Sequence, residues 1–154
     1  MTQYYPKLDT DMITIEEIIK LFEEEFGFIK DKFVVIKLLS DGTSVKRQLQ
    51  RDVIHEIKLD FVHHPGVYVF YANDSPYRVG RHFENTRLRV MQHIDAKTGN
   101  KDHNVMDLNK YEDREVLLFN LKDPKEAHWA AALEVFLETQ LQPKGLKIPA
   151  KRQG

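Results

Sequence analysis

The segment Gly66-Val67-Tyr68-Val69-Phe70-Tyr71 decides the fold. Its β-branched and aromatic residues are the types that favour β-strands. Asn73-Asp74 follows, and both residue types tolerate the backbone conformation of a tight turn. The next segment, Pro76-Tyr77-Arg78-Val79-Gly80-Arg81, also has the character of a strand. The sequence therefore predicts a β-hairpin over residues 66–81 on which tyrosine and arginine side chains are concentrated.

Two helices and one strand are predicted after this hairpin. Asn85 is a suitable N-cap for a helix that runs to about Ile94,. Residues 95–113 are polar and predict a long loop, and residues 115–121 predict a strand. Asp123-Pro124 opens a last helix that ends near Leu141,. The residues expected to face inward are Leu88, Met91 and Ile94 in the first helix, and Trp129, Leu133, Phe136 or Leu137, and Leu141 in the second.

The first third of the chain predicts a helix and a second hairpin. Thr14-Ile15-Glu16-Glu17 is a capping box, and Gly27 ends the helix that it begins,. Residues 33–39 predict a strand, Asp41-Gly42 a turn, and the stretch through about Leu49 a second strand. Residues 51–57 predict a short helical turn. We expect an α/β (α+β) fold with a small, mostly antiparallel central sheet and flanking helices, divided into an extension over residues 1–60 and a domain over residues 61–154.

Composition and charge exclude several classes of protein. No apolar run approaches the roughly 20 residues of a membrane span, so no integral membrane protein is expected. Cysteine is absent, which excludes disulfides and thiolate metal sites and fits a cytoplasmic location,. Residues 1–29 carry seven acids against two lysines, a balance of −5. We interpret this acidic helix first as a solvated face and second as a surface for a protein partner.

A few residues have the chemistry of a phosphodiester-cleaving site. Arg89 and His93 are four residues apart on a helix and share one face,. Arginine offers donors that match phosphate oxygens, and histidine exchanges a proton near neutral pH. The Tyr68 hydroxyl would need nearby cations before it could act as a proton acceptor. Glu134 could hold Mg²⁺ together with water and substrate phosphate. Taken singly, each of these residues has a structural explanation as packing or exposed surface.

Taken together, the residues resemble the GIY-YIG nuclease superfamily. The resemblance rests on Gly66-Val67-Tyr68, then Arg78-Val79-Gly80, then Arg89 and His93, and then Glu134 with Pro143 nine residues later. It spans roughly residues 62–149 and implies a β-β-α-β-α core, in agreement with the elements predicted above. It also implies metal-dependent endonuclease activity on DNA, with Mg²⁺ or Mn²⁺ as the cofactor.

The resemblance implies a role for each matching residue. Tyr68 would assist the attacking water, helped by Tyr77 or His93. Arg89 would bind the scissile phosphate, with Arg81 as the basic residue after the second motif's glycine. Glu134 would bind the metal ion.

Three positions depart from the family's pattern. Arg78 stands where the second motif normally has a tyrosine, and Tyr77 lies one residue earlier, on the opposite face of a regular strand,. Either a bulge restores Tyr77, or the chain has a Tyr-Arg-Val-Gly variant of the motif. The spacing to Arg89 is one residue longer than usual, so Arg87 competes for the arginine role, and the asparagine expected soon after Pro143 is absent. The alternative function is therefore a catalytically silent module of the same fold that binds nucleic acid or a protein partner.

Overall fold

The computed structural model describes residues 12–40, 45–95 and 105–148. These residues form four α-helices, four β-strands and short 3-10 turns. In chain order the elements are α1 (Ile15–Glu25), β1 (Phe33–Lys37), α2 (Arg51–His55), β2 (Gly66–Ala72), β3 (Ser75–His82), α3 (Thr86–Asp95), β4 (Glu115–Leu121) and α4 (His128–Leu141). No helix among these residues is long and apolar enough to cross a membrane.

All four strands belong to one antiparallel sheet with the order β1-β4-β2-β3. Every residue of β2 and β4 is buried, as expected for strands with neighbours on both sides. β3 is an outer strand, and part of its free edge is covered by Ile148, whose amide donates to the carbonyl of Tyr77. The predicted α+β fold with a small antiparallel sheet is confirmed, and the order of elements from β2 onward is β-β-α-β-α.

The two faces of the sheet are covered by different helices. On one face, α1 and α4 pack over a cluster that includes Val67, Val69 and Tyr71. On the other face, α2 and α3 pack over a cluster that includes Tyr68 and Phe70. This division follows from the alternation of side chains along β2. We call these the α4 face and the α3 face.

A β-bulge at Tyr77 interrupts the hairpin that the sequence predicted. Tyr68 pairs with Gly80 and Phe70 with Arg78, but the next residue, Tyr71, pairs with Pro76. Tyr77 is therefore the extra residue of β3. The bulge puts Tyr77 on the same face as its neighbour Arg78, where it packs against the cluster of the α3 face,.

The N-terminal segment shares this sheet and this core. The Thr14 capping box is formed, and α1 buries Ile18 and Phe22 in the cluster of the α4 face. β1 pairs antiparallel with β4. The division into two parts near residue 60 stays a prediction from the sequence.

The second strand predicted up to Leu49 is wrong for the residues that the structure describes. Residues 45–49 form no strand, and the expected turn at Asp41-Gly42 lies outside the described residues. Isolated hydrogen bonds hold this stretch instead of a ladder: the Arg47 amide donates to the Leu39 carbonyl, and the Leu49 amide donates to the Asn109 side chain at 2.7 Å. Because Asn109 is distant in sequence, local pattern alone gave no sign of this pairing.

The later elements match the sequence more closely. Asn85 caps α3 as predicted, since its side-chain oxygen accepts from the Leu88 amide at 3.0 Å. Met91 and Ile94 are buried, but Leu88 is 41% exposed, and Val90 and His93 are buried in its place. In the predicted loop, residues 96–104 lie outside the described residues, whereas residues 105–110 form a 3-10 turn. The last helix is preceded by another such turn over residues 124–126.

Candidate active site

A pocket of about 390 Å³ lies at β3 and the loop after it. Residues 78–84 form one wall, and Tyr68, Arg89 and Glu134 complete the lining. Because β3 is an outer strand, side chains from both faces of the sheet reach its edge. Tyr68 and Arg89 come from the α3 face, and Glu134 comes from the α4 face. The structure therefore brings these three sequence-predicted residues into one pocket.

Tyr68 reaches the pocket because residue 80 is a glycine. Tyr68 and Gly80 are register partners on β2 and β3. A Cβ atom on Gly80 would overlap the hydroxyl oxygen and Cζ of Tyr68. The tyrosine side chain therefore crosses the outer strand over Gly80, and any larger residue would displace it.

The Tyr68 hydroxyl forms a buried hydrogen bond with His93. The hydroxyl oxygen lies 2.7 Å from Nε2 of His93, and both residues are less than a tenth exposed. Burial lowers the pKa of His93 to about 3, and the charges of Arg78 and Arg89 act in the same direction. His93 is therefore neutral at neutral pH. It lies behind Tyr68 and is not among the residues that line the pocket, so it meets the pocket through the tyrosine hydroxyl.

This hydrogen bond joins two neutral groups, and its direction depends on which ring nitrogen of His93 carries the proton,. Burial raises the pKa of Tyr68, while the nearby Arg89 and Arg78 lower it in part. The tyrosine is neutral near pH 7, and it donates its proton to Nε2 when the proton of the neutral His93 ring is on Nδ1. The Arg89 guanidinium interacts with the same hydroxyl oxygen. An oxygen that donates to one partner keeps lone pairs that can accept from others.

Arg81 forms an ion pair with Glu134 across the pocket. Glu134 is 2% exposed, so its carboxylate would be costly to bury without a partner,. The Arg81 guanidinium also lies over the ring of Phe83, with its carbon 4.9 Å from the ring centroid,. Arg81, the basic residue after the second motif's glycine, is therefore balanced by a carboxylate in this structure.

Arg78 and Arg89 differ from Arg81 in this respect. No carboxylate in the described part of the chain forms an ion pair with either of them. Arg89 donates to the side-chain oxygen of Gln92 at 3.0 Å and faces the pocket. The pocket thus holds two guanidinium groups whose charge no side-chain carboxylate balances directly.

Arg87, the competing candidate, lies elsewhere. Its guanidinium donates to the carbonyl oxygens of His55 at 3.1 Å and Ile57 at 2.8 Å, at the end of α2. Arg87 therefore ties α3 to the N-terminal segment, and Arg89 is the one of the two that lines the pocket.

Tyr77 is not among the residues that line the pocket, although it shares a face with Tyr68. Several residues to which the sequence assigned no role in the site also line it, among them Arg78, His82 and Phe83. Nδ1 of His82 accepts from the amide of Asn85 at 2.9 Å, and burial lowers the pKa of His82. The sequence signal for Arg78 was its position two residues before Gly80, which places both residues on one face of β3,.

Glu134 fits a metal ion that takes most of its ligands from water and substrate. The described residues contain no group of three His, Asp or Glu side chains arranged to hold a metal ion. A single carboxylate suffices for Mg²⁺ when phosphate and water complete the coordination. His64, which the sequence did not favour as a ligand, donates from Nδ1 to the Leu121 carbonyl at 2.9 Å.

Comparisons of the chain with protein-family models, with curated proteins and with solved structures found no match. The case for a function therefore rests on the chemistry of this pocket.

Proposed function

We propose that the protein is a metal-dependent endonuclease of the GIY-YIG type that hydrolyses phosphodiester bonds in DNA. The observation that carries the proposal is the pair of arginines, Arg78 and Arg89, that line one pocket with the Tyr68 hydroxyl and form no ion pair with a carboxylate among the described residues. Arginine is suited to phosphate oxygens because its donors form a planar fork. Both arginines are half-buried, and a bound phosphate would supply each with charge-assisted hydrogen bonds,.

Arg89 and Arg78 would bind the scissile phosphate and stabilise the charge that develops on it. Both arginines are placed before substrate arrives, because Arg89 donates to Gln92 and interacts with Tyr68, and Arg78 stands opposite Phe70 in the ladder of β2 and β3. Preorganised donors of this kind need no rearrangement when the reaction occurs.

Tyr68 would orient the attacking water. Since its own proton is donated to His93, the hydroxyl oxygen can accept a hydrogen bond from the water,. As the water loses a proton to Tyr68, the tyrosine proton can pass to Nε2 of His93. Phosphate binding favours this transfer, because it offsets the Arg78 and Arg89 charges that help to lower the pKa of His93,.

Glu134 would hold one Mg²⁺ or Mn²⁺ ion, with Arg81 keeping the carboxylate in place. When bound, the ion would stabilise negative charge on the leaving oxygen.

The second candidate is a catalytically silent module that binds nucleic acid. The Arg81–Glu134 ion pair favours it, because a carboxylate already paired with an arginine is a weaker ligand for a metal ion. Tyr77 is not among the residues that line the pocket, which also favours the silent module. Both candidates share the unpaired arginines and differ in whether Glu134 releases part of its interaction with Arg81. The absence of cysteine supports a cytoplasmic setting for either.

Incubation of supercoiled plasmid DNA with the protein and Mg²⁺ or Mn²⁺ separates the two candidates. An endonuclease nicks or linearises the plasmid, and Glu134→Gln, which keeps the size of the side chain, reduces the rate by at least about 100-fold. Glu126→Gln is the matched control, since Glu126 is another ion-paired carboxylate but contacts Lys32 at the surface. Equal rates for wild type and Glu134→Gln would refute the metal role of Glu134. No cleavage with either ion, together with DNA binding, would favour the silent module.

The two arginines of α3 test the phosphate site. We expect Arg89→Ala to weaken DNA binding and to reduce its salt dependence by about one ion. Arg87→Ala should leave binding unchanged and instead lower stability by roughly 1–3 kcal/mol, because it strips two carbonyl groups of their donor. If Arg89→Ala and Arg87→Ala weakened DNA binding equally, the assignment of Arg89 to the phosphate would be refuted.

A further inference from the structure

Phe83 is an aromatic side chain that the mechanism above leaves without a task. It lies in the loop between β3 and α3, lines the pocket beside Arg81 and Arg89, and is 48% exposed. The Arg81 guanidinium covers part of the ring. A phenylalanine this exposed, with one side already supported, presents apolar ring surface to whatever enters the pocket.

Support for the ring comes from a chain of contacts that begins in the core. Buried Glu134 holds Arg81, and Arg81 lies over Phe83. The ring is therefore held in place although it projects into solvent. A ring fixed in advance loses little conformational entropy when a flat ligand stacks on it.

Nucleobases are flat ligands of the required kind. Stacking between a base and an aromatic side chain tolerates any base, because every base has a π-face. A pocket of about 390 Å³ is in the range that encloses a single small ligand rather than a double helix,. Bases inside a duplex are covered on both faces by their neighbours, so one can reach Phe83 only if it is unpaired or is flipped out at a cost of a few kcal/mol.

We propose that Phe83 stacks on an unpaired base next to the phosphate held by Arg78 and Arg89, and that the preferred substrate is therefore DNA with an unpaired nucleotide at this site, for example a single strand. This proposal rests on the proposed function, since it needs the pocket to bind DNA. It adds a specificity that neither the arginines nor Tyr68 supply, because phosphate contacts do not distinguish paired from unpaired bases.

Another exposed phenylalanine provides a matched control. Phe28 is 75% exposed, but its ring packs edge-on against Trp129 and is not among the residues that line the pocket. Truncation of Phe28 removes more exposed aromatic surface than truncation of Phe83 without touching the candidate site.

The test is DNA binding measured by fluorescence anisotropy in EDTA, so that no metal-dependent cleavage occurs during the titration. The probe is a labelled oligonucleotide, used alone and annealed to its complement. We compare the wild type with Phe83→Ala, Phe83→Leu, Phe83→Trp and Phe28→Ala. Phe83→Leu keeps an apolar side chain of similar size without a ring, which separates stacking from general apolar contact. Circular dichroism confirms that each variant is folded.

We expect Phe83→Ala and Phe83→Leu to weaken single-strand binding by about tenfold, since one stacked base contributes roughly 1–3 kcal/mol. Duplex binding should change by less than about twofold, Phe83→Trp should bind at least as tightly as wild type, and Phe28→Ala should match wild type. Equal losses for both DNA forms, or no loss with Phe83→Leu, would overturn the stacking proposal. If the wild type cleaves plasmid DNA, the nuclease proposal holds whether or not the Phe83 variants lose single-strand affinity. If the Phe83 variants lose single-strand affinity but the wild type cleaves no DNA, stacking in a silent module is supported. If the wild type bound neither form, both proposals would fail.

Discussion

Tyr68 and Tyr71 lie on opposite faces of β2, and each is only 3% exposed. The Tyr71 hydroxyl donates to the carbonyl oxygen of Ile13 at 2.8 Å, which fastens the residue before α1 to the sheet. Burial, together with the carboxylates of Asp113 and Asp74, raises the pKa of Tyr71 to about 12. Everything around this tyrosine favours its neutral form, and its role is structural.

Tyr68 has the same burial but opposite electrical surroundings. Burial again raises its pKa, but here Arg89 and Arg78 act against burial. Its hydroxyl meets a histidine ring nitrogen, which can take a proton, and not a backbone carbonyl. Residue type and burial therefore do not distinguish a structural tyrosine from a chemical one. The charges nearby and the nature of the hydrogen-bond partner do.

Replacement of each tyrosine by phenylalanine is expected to give the largest difference between the two faces. Tyr68→Phe removes the oxygen that would orient water and pass a proton to His93. We expect the single-turnover rate of plasmid cleavage to fall by about 100-fold or more, in the range typical of a lost acid–base group. Tyr71→Phe should cleave within about twofold of wild type.

Both variants keep the ring, so packing is preserved and each serves as the control for the other. The distinction between the two tyrosines would be refuted if Tyr71→Phe lost as much activity as Tyr68→Phe while remaining folded. It would also break if Tyr68→Phe cleaved at the wild-type rate, because the pocket's tyrosine would then have no role in the reaction.

The acid side of the stability profile should report the second difference, which comes from His93. The folded pKa of about 3 lies below the usual value of 6.5, so the unfolded chain binds the proton first as pH falls. The stability that His93 contributes is therefore present above about pH 6.5 and is lost as the pH falls toward 3. Between pH 7 and pH 5 this loss amounts to about 2 kcal/mol.

His93→Gln retains a side chain that can accept the Tyr68 proton but does not titrate. Urea denaturation at pH 7, 6 and 5 should show the free energy of unfolding falling about 2 kcal/mol less in this variant than in wild type. Parallel pH profiles for the two proteins would show that His93 is not held neutral, and the proposed direction of the Tyr68 hydrogen bond would then be wrong.

Local patterns in the sequence predicted the elements well where one strand or helix determines them. Residues 115–121 are predicted as a strand and form β4, because four consecutive apolar residues, Val116 to Phe119, are typical of a buried strand,. The Asn85 cap was found for a similar reason, since its partner is the amide three residues later. Tyr68 and Glu134 converge on one pocket, as expected if the order of elements is β-β-α-β-α.

Features that depend on pairing between distant segments were not predictable in this way. Tyr77 packs on the same face as Arg78 because of a bulge, and only the register between β2 and β3 fixes the bulge. The ion pair between Arg81 and Glu134 joins residues 53 positions apart. Arg87 and Arg89 lie on the same helix, and no spacing rule shows that one bonds to carbonyl groups near α2 while the other lines the pocket.

The alkaline side of the stability profile should show the smallest difference, and it belongs to Tyr71. At pH 8 the wild type should be more stable than Tyr71→Phe by about 1 kcal/mol, the usual net contribution of one hydrogen bond. The unfolded tyrosine releases its proton near pH 10, whereas the folded one holds it to about pH 12,. Unfolding therefore becomes easier for the wild type as pH rises through this window, and Tyr71→Phe lacks that contribution. Urea denaturation at pH 8, 10 and 11 should show the wild-type advantage shrinking with pH. A constant advantage would mean that the Tyr71 hydroxyl ionises as readily in the folded protein as in the unfolded chain. The contrast between a structural Tyr71 and a chemical Tyr68 would then be refuted.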